Sequence, residues 1–573
     1  TFGLGVEIRL STVVHHSGAW IEYNYEQTNG HLVAMRRSDG TTLEFKWHNR
    51  IHRLLSIWVK NEETHPGEEP MRLASYNYDG KGRLLKVINS AAGALRYYYD
   101  DENRPCQWTD RNGYSYYYRF DNQGRVVSQV GSGGMIPNAL VWLKDEGEDA
   151  PEDGTVCVTL ECAGEFHGNP VEIGDSCINE YFDRLESLPL ANLLREKGLK
   201  GAGLTGRGRT GVRDDESWTI PDEFLHDDFL GVIRPTVYRS TPEGDVWRMV
   251  TAEGVVTDWE YDDYHQVEKE ISNTGVVVTI DHDEYGTTTR VDFGDGTVET
   301  VTPGAWGEPV KITGRDGLIT EYEVDPAGFV TAVTDPTGVR LEYEYEWRAT
   351  GLVPLAVVDP QGLVQVTECD NAGRPLAVVD PAGRRSSVIR DVRGFITETI
   401  DPVGDVTKVE YSPEGWVTKV INPDGTERSA SYDGEGNQIA VVNEAGMTTT
   451  AKYTVFDEVS EIITADGGVT RYTYNTQMER VAVTNAAGLT WRFEYDLDGE
   501  VIKETDYNGL VTETRKSRDG LHIDFVHGEG VATAYYDVFE RLTELHEIDD
   551  VVRFTRDKLG EITQVSNKWS TVD

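Results

Sequence analysis

The chain has 573 residues, with 54 Lys and Arg against 99 Asp and Glu, a formal net charge of −45. So acidic a surface excludes nucleic acid and anionic membranes as partners, because both are recognised through clustered cations. The 28 Tyr, 13 Trp and 15 Phe fall at regular places, which excludes a disordered acidic chain, and no apolar run is long enough to span a membrane.

Five cysteines, Cys106, Cys157, Cys162, Cys177 and Cys369, are too few and too scattered for a disulfide framework. The chain starts at Thr1 with no signal peptide before it, and is expected to be an internal piece of a longer protein.

Residues 1–130 read as irregular repeats. Gly82, Asn103 and Gly124 stand 21 residues apart, and Tyr78-Asp79, Tyr99-Asp100 and Phe120-Asp121 precede them. His31–Ile57 reads as a further degenerate copy.

Residues 131–243 break the period and read as an insertion. Trp142–Gly154 is acidic and loop-like, and Thr155–Gly164 predicts one strand. Asn179–Gly198 predicts the only helical stretch, with Tyr181, Phe182, Leu185, Leu188 and Leu193 on one face and Pro189 kinking or splitting it.

Residues 244–573 are regular. Glycines recur every 21 residues at 254, 275, 296, 317 and 338, and again from Gly362 through Gly383 and Gly404 to Gly530. The two ladders are 24 apart, so three residues are inserted near Trp347–Pro354. A second ladder, about 11 residues on, runs Gly286, Gly307 and Gly328, then Gly373, Gly394, Gly415 and Gly436, then Gly499 and Gly520. Between turns the pattern alternates: Leu489, Trp491, Phe493 and Tyr495 fall on one face of an extended strand, Thr490, Arg492, Glu494 and Asp496 on the other. In Asp380-Pro381-Ala382-Gly383 and its copy Asp401-Pro402-Val403-Gly404, Asp favours the first turn position, Pro pre-sets the second, and Gly supplies a positive φ. Each unit is therefore one β-hairpin, unstable alone, and stacking neighbours builds a long, curling all-β ribbon.

The Tyr-Asp pair followed by x-x-Gly, in units of 21 residues with intervening D-P-x-G turns, resembles the YD repeats of Rhs proteins, with related chains in the C component of insecticidal toxin complexes and in teneurins. The motifs that match are Tyr78–Leu84, Phe120–Val126, Cys369–Pro375, Tyr432–Gln438 and Tyr495–Val501. The resemblance implies a ribbon that spirals into a hollow shell around the protein's own C-terminal toxin. It also implies an aspartyl autoprotease at the shell's end, marked by D-P-x-G followed by P-x-x-G. That marker is missing here, so the resemblance implies no catalytic residue in this chain.

Other constellations are weaker. Gly201–Gly206 fits G-x-G-x-x-G but follows a helix instead of a strand, and reads as a loop. Lys197, Lys200, Arg207, Arg209 and Arg213 beside it form the one basic cluster, expected to pair with acidic surface or to dock cargo or a delivery partner. Cys157, Cys162 and Cys177 with His167 offer four zinc ligands at loose spacing, with a disulfide or buried thiols as alternatives. Asp281–Gly286 bundles Asp281, His282, Asp283 and Glu284, and reads as a solvated turn before a cation site. His15-His16 and His226-Asp227-Asp228 lack a nucleophile motif. The tyrosines at 97–99 and 116–118 suit cross-strand packing better than sugar stacking.

The expectation is a non-enzymatic shell segment of a bacterial Rhs polymorphic toxin used in interbacterial competition, made in the cytoplasm and delivered by a secretion system. Its partners would be the C-terminal toxin as cargo and the delivery components, with no catalytic, cofactor or metal residues. Two alternatives are an extracellular adhesion or wall-binding repeat protein and an enzyme with its site in 131–243.

Overall fold

The computed structural model describes residues 9–572 except 16–17, 63–64, 147–149, 165–174, 202–221, 306, 327, 349–350, 370–373, 518 and 529. Among the described residues, 47 strands form one antiparallel sheet. With one exception, each strand pairs with the strands before and after it in sequence, so the sheet is a single meander; the two-residue strand His226–Asp227 pairs on one side only, with Gly231–Ser240. The sheet does not close on itself.

Alternation sets the two faces. In Ile319–Val324, Thr320, Tyr322 and Val324 are half-buried while Ile319, Glu321 and Glu323 are exposed. On the exposed face, charged residues pair across strands, as Glu494 does with Lys503 at 2.7 Å and Glu398 with Lys408 at 3.1 Å. Such pairs contribute little each in water, but they keep that face polar along the ribbon.

The ribbon runs straight through 131–243. Strands Asn138–Lys144, Thr155–Ala163 and Gly231–Ser240 pair in order, and the helices emerge between the last two. The single predicted helix is two, α1 (Asp175–Ser187) and α2 (Pro189–Gly201). Pro189 opens the second, where its missing N–H costs nothing. Tyr181, Phe182, Leu185 and Leu188 are buried as expected, but Leu190 and Leu194 are fully buried where Leu193 is only partly so, because the break shifts the helical phase. The helices cover Val130, Val141, Val158, Leu160, Ile233 and Val237, and the main buried core lies there. Traced through the register, this is the face that carries Glu260 one strand and Lys269 two strands beyond Val250, so apolar side chains give way to ion pairs where helical cover ends.

Everywhere else the wall is one layer. The accessible area is 32737 Å², against about 20,000 Å² for a compact globule of this mass. The three extra residues near Trp347 lengthen one hairpin, giving strands Arg340–Arg348 and Gly351–Val358. Gly530 leaves the glycine ladder: it starts strand Gly530–Tyr536, and the left-handed φ of that hairpin belongs to Gly528.

Candidate functional site

The ribbon has two chemically different edges. On one, Asp380 accepts the N–H groups of Ala382 and Arg384 through Oδ1, both at 2.9 Å, and Gly383, at φ 78°, donates its N–H to the Asp380 carbonyl. This is the predicted D-P-x-G hairpin turn.

The other edge carries the Tyr-Asp turns. Asp433 caps its turn in the same way, accepting the N–H groups of Glu435, Gly436 and Asn437. The tyrosine anchors the hairpin: Tyr411 donates its hydroxyl to the Ile396 carbonyl at 2.8 Å, and Tyr432, Tyr474 and Tyr495 each donate to the carbonyl 15 residues back. Where Arg390 replaces tyrosine, its guanidinium takes the matching carbonyl of Pro375 at 3.3 Å. A bulge accompanies this turn, as between Glu410 and Tyr411.

The ladder of positive φ is more complete than the ladder of glycines. Asp457 and Met478, at φ 66° and 67°, fill the two rungs between Gly436 and Gly499. His265 and Asn103 do the same earlier in the chain.

The two edges meet. Turns of the first circuit on the D-P-x-G side stack on Tyr-Asp turns of the second, about 23 strands further along, which at the spacing of paired strands is a circuit of at least about 110 Å. Glu414 accepts the hydroxyl of Ser90 at 3.2 Å and the N–H of Ala91. Glu435 accepts the N–H of Arg111 at 2.5 Å and its guanidinium at 2.8 Å. Phe456 packs edge-on against Tyr116, with ring centroids 5.9 Å apart. Gln477 donates to the Cys162 carbonyl at 3.1 Å. Asp498 accepts the Thr251 hydroxyl at 2.7 Å and the N–H of Glu253 at 2.9 Å.

The seam is most deeply buried near the helices. The hydroxyl of Thr476 lies 2.8 Å from both the Gly164 N–H and the Cys162 carbonyl, accepting from the first and donating to the second. Arg234 grips Glu479 with two bonds of 2.6 and 2.9 Å, and both side chains are largely buried. Burial also pushes Asp110 up to about 6, with the Glu435 charge adding to it and the N–H groups of Tyr114 and Gly113 opposing it.

Most other constellations do not assemble a site. Cys157 and Cys162 lie five residues apart on one strand and so face opposite sides, which prevents them from sharing a zinc ion or a disulfide. Burial pushes the Cys157 thiol up to about 11 and Cys162 higher still. His167, the Cys177 side chain, residues 202–206 of the glycine loop, and Arg207, Arg209 and Arg213 lie outside the described residues, as does His16. Asp283 caps the turn at Tyr285 and Thr287, and Asp227 caps Phe229 and Leu230. Tyr97 and Tyr116 both sit opposite Trp108 across strands. The seam itself was missed in the sequence, although the residues that read across it recur at the 21-residue period.

No family model matches the chain. Over 140 residues it is 29% identical to a protein of Dickeya dadantii (strain 3937) named probable deoxyribonuclease RhsB, a stretch covering 24% of this chain and 9% of that protein. Its fold is similar to the crystal structure of TcdB2-TccC3-TEV, with a TM-score of 0.59 at 12% identity over 99% of this chain and 40% of the other. It is equally similar to TcdB2-TccC3 without the hypervariable C-terminal region, with a TM-score of 0.60 at 11% identity over 96% of this chain and 38% of the other. At those identities the likeness is one of fold, and the chain spans about two fifths of those structures. The resemblance read from the repeats, and the all-β ribbon it implied, are borne out.

Proposed function

From a YD-repeat ribbon related in sequence to an Rhs protein and in fold to TcdB2-TccC3, we propose that the chain is a wall segment of a shell enclosing a C-terminal toxin, delivered to competing bacteria. The observation that carries this reading is the seam between circuits. A ribbon whose edges latch every circuit builds a barrier one sheet thick, and the accessible area is what such a hollow wall exposes. The role is structural: the chain separates a harmful enzyme from its producer and does not itself react. The curated relative's name describes that whole protein, of which the aligned stretch is a small part. Among the described residues no helix is long and apolar enough to cross a membrane.

Small-angle scattering tests the wall. A compact chain of this length would give a radius of gyration of about 25 Å, whereas a hollow one gives a larger value and a form-factor minimum. Limited proteolysis of the full-length polypeptide tests the enclosure. The segment following the repeats should resist protease while the seam is intact and be digested once it is broken. Digestion at the rate of the isolated tail would refute enclosure.

A further inference from the structure

The seam has two kinds of rung. Counted from the capping residue of each Tyr-Asp turn, the third residues of the second circuit are Glu414, Glu435, Phe456, Gln477 and Asp498. The carboxylates among them accept main-chain N–H groups, from Ala91, Arg111 and Glu253. Main-chain donors are present in any hairpin turn, so these rungs would fit as well one unit of 21 residues earlier or later. Arg234 is no more selective, because Glu458 and Glu500 hold the place of Glu479 in the neighbouring turns.

Three consecutive turns do tell the registers apart. A side chain on Gly434 would lie 2.9 Å from the Arg111 carbonyl oxygen, and the turns on either side carry Pro413 and Val455 at that place. A side chain on Gly131 would lie 2.5 Å from the Phe456 ring, which fills that space and meets buried Tyr116 edge-on. The neighbours of Phe456 are Glu435 and Gln477, and either would set a polar group against the Tyr116 ring. Thr476, 4% exposed, satisfies the Gly164 N–H and the Cys162 carbonyl with one hydroxyl. Val455 and Leu497 would satisfy neither, although the main-chain bonds of this turn to Ile136 and Gly164 would survive.

Two of the three receiving sites belong to the insertion. Gly131 ends strand Val126–Gly131, and Gly164 follows strand Thr155–Ala163. The helical layer backs the loop after Gly131, where a side chain at Gly134 would collide with the Tyr181 ring of α1.

We propose that the insertion, read by Gly434, Phe456 and Thr476, fixes how many repeat units make one circuit. Hairpin stacking by itself leaves that number open. The periodic carboxylates grip at any register, and the unrepeated contacts select one, as a single polar residue does in a coiled coil. The break in the repeat at 131–243 and the irregular turn Asn475–Glu479 are then two halves of one device. It concerns the coil alone and holds whatever the wall encloses.

Moving one half by one unit tests this in the full-length polypeptide. Val455→Gly, Phe456→Glu, Thr476→Val, Gln477→Phe, Leu497→Thr and Asp498→Gln together shift it 21 residues along and leave the insertion intact. The register is read by refolding under reducing conditions, oxidising, and identifying the disulfide by peptide mass spectrometry. Ser90→Cys with Glu414→Cys reports the present register, and Ser90→Cys with Glu435→Cys a circuit one unit longer. The first bond is expected in the otherwise unaltered chain and the second in the shifted variant. The milder pair Phe456→Leu/Thr476→Val should raise the yield of the 90–435 bond about tenfold over the unaltered chain. If sheet curvature set the circuit instead, the shifted variant would fold and keep the 90–414 bond, which would overturn the proposal. Should the six changes prevent folding, the milder pair decides alone, and no gain in the 90–435 bond overturns it equally.

Discussion

The carboxylate of Glu435 holds both the backbone N–H and the guanidinium of Arg111, two residues 324 positions apart in the chain. The bond ties a D-P-x-G-side turn of one circuit to a Tyr-Asp turn of the next, and both side chains are mostly shielded from water. Replacing Glu435 by Ala strands a partly buried cation and an N–H group, at a cost of about 1–3 kcal/mol. Hydrogen exchange should report it as faster opening of residues 110–113, with strands far from the seam unchanged. Glu444→Ala, an exposed turn residue of the open edge, should leave those amides as they are.

Acidification should first tighten this seam and then loosen the hairpins. The Asp110 carboxyl, raised to about 6 by burial, keeps its proton in the folded state at a pH where the unfolded chain has lost it. Stability there rises as the pH falls from about 7 toward about 4. Asp457, raised by its burial and by the charges of Asp433 and Glu435, acts in the same direction. The turn caps behave oppositely. The Arg384 N–H holds Asp380 below the usual carboxylate range, and the Thr297 hydroxyl lowers Asp295 to about 2. Their contribution is present above the ordinary carboxylate range and is lost as the pH falls through their folded values. Thermal unfolding across this range should show a mildly acidic optimum, and Asp110→Asn should flatten the slope between pH about 7 and about 5 while leaving the acid collapse intact.

Left-handed rungs occupied by other residues should accept glycine. Met478 sits at φ 67°, a conformation that costs an L-residue roughly 1–2 kcal/mol, so Met478→Gly should be neutral or stabilise the hairpin by about 1 kcal/mol. Gly404, at φ 93° with open space around it, should lose about as much on substitution by Ala, through strain alone. Denaturant unfolding should show the Gly404 variant destabilised and the Met478 variant unchanged or stabilised.

The tyrosine anchor should act locally. Tyr411→Phe keeps the ring, which stacks on Phe395 with centroids 5.1 Å apart, and removes only the bond to the Ile396 carbonyl. A loss of about 1 kcal/mol is expected, confined to the strands around 396–421 because repeat stability is nearly a sum of neighbouring units. Exchange protection that fell equally along the whole ribbon would contradict this.

The hairpin was legible because its causes are local: alternation over six residues and a turn within five. Pro189 was legible for the same reason, although only the packing shows that it begins a second helix and hands burial from Leu193 to Leu190 and Leu194. Asp457 and Met478 escaped a search for glycine because the fold requires the conformation and glycine is merely its usual bearer. The seam escaped altogether, since Glu414 and Ala91 are joined only by the pitch of the coil, and strand periodicity carries no information about pitch. Its one trace was the regular return of Glu414, Glu435 and Asp498 ahead of a left-handed residue.

The unlike character of the two edges has a further consequence for how such a wall changes size. A contact between identical edges would pair off two layers and stop, but one edge that fits its opposite can be followed by another circuit of the same kind. Each added unit of 21 residues lengthens the coil by two strands, about 10 Å of path, and presents an edge the earlier circuit already accepts. In the enclosure proposed above, capacity is a function of repeat number, and units can be added or dropped without a new contact.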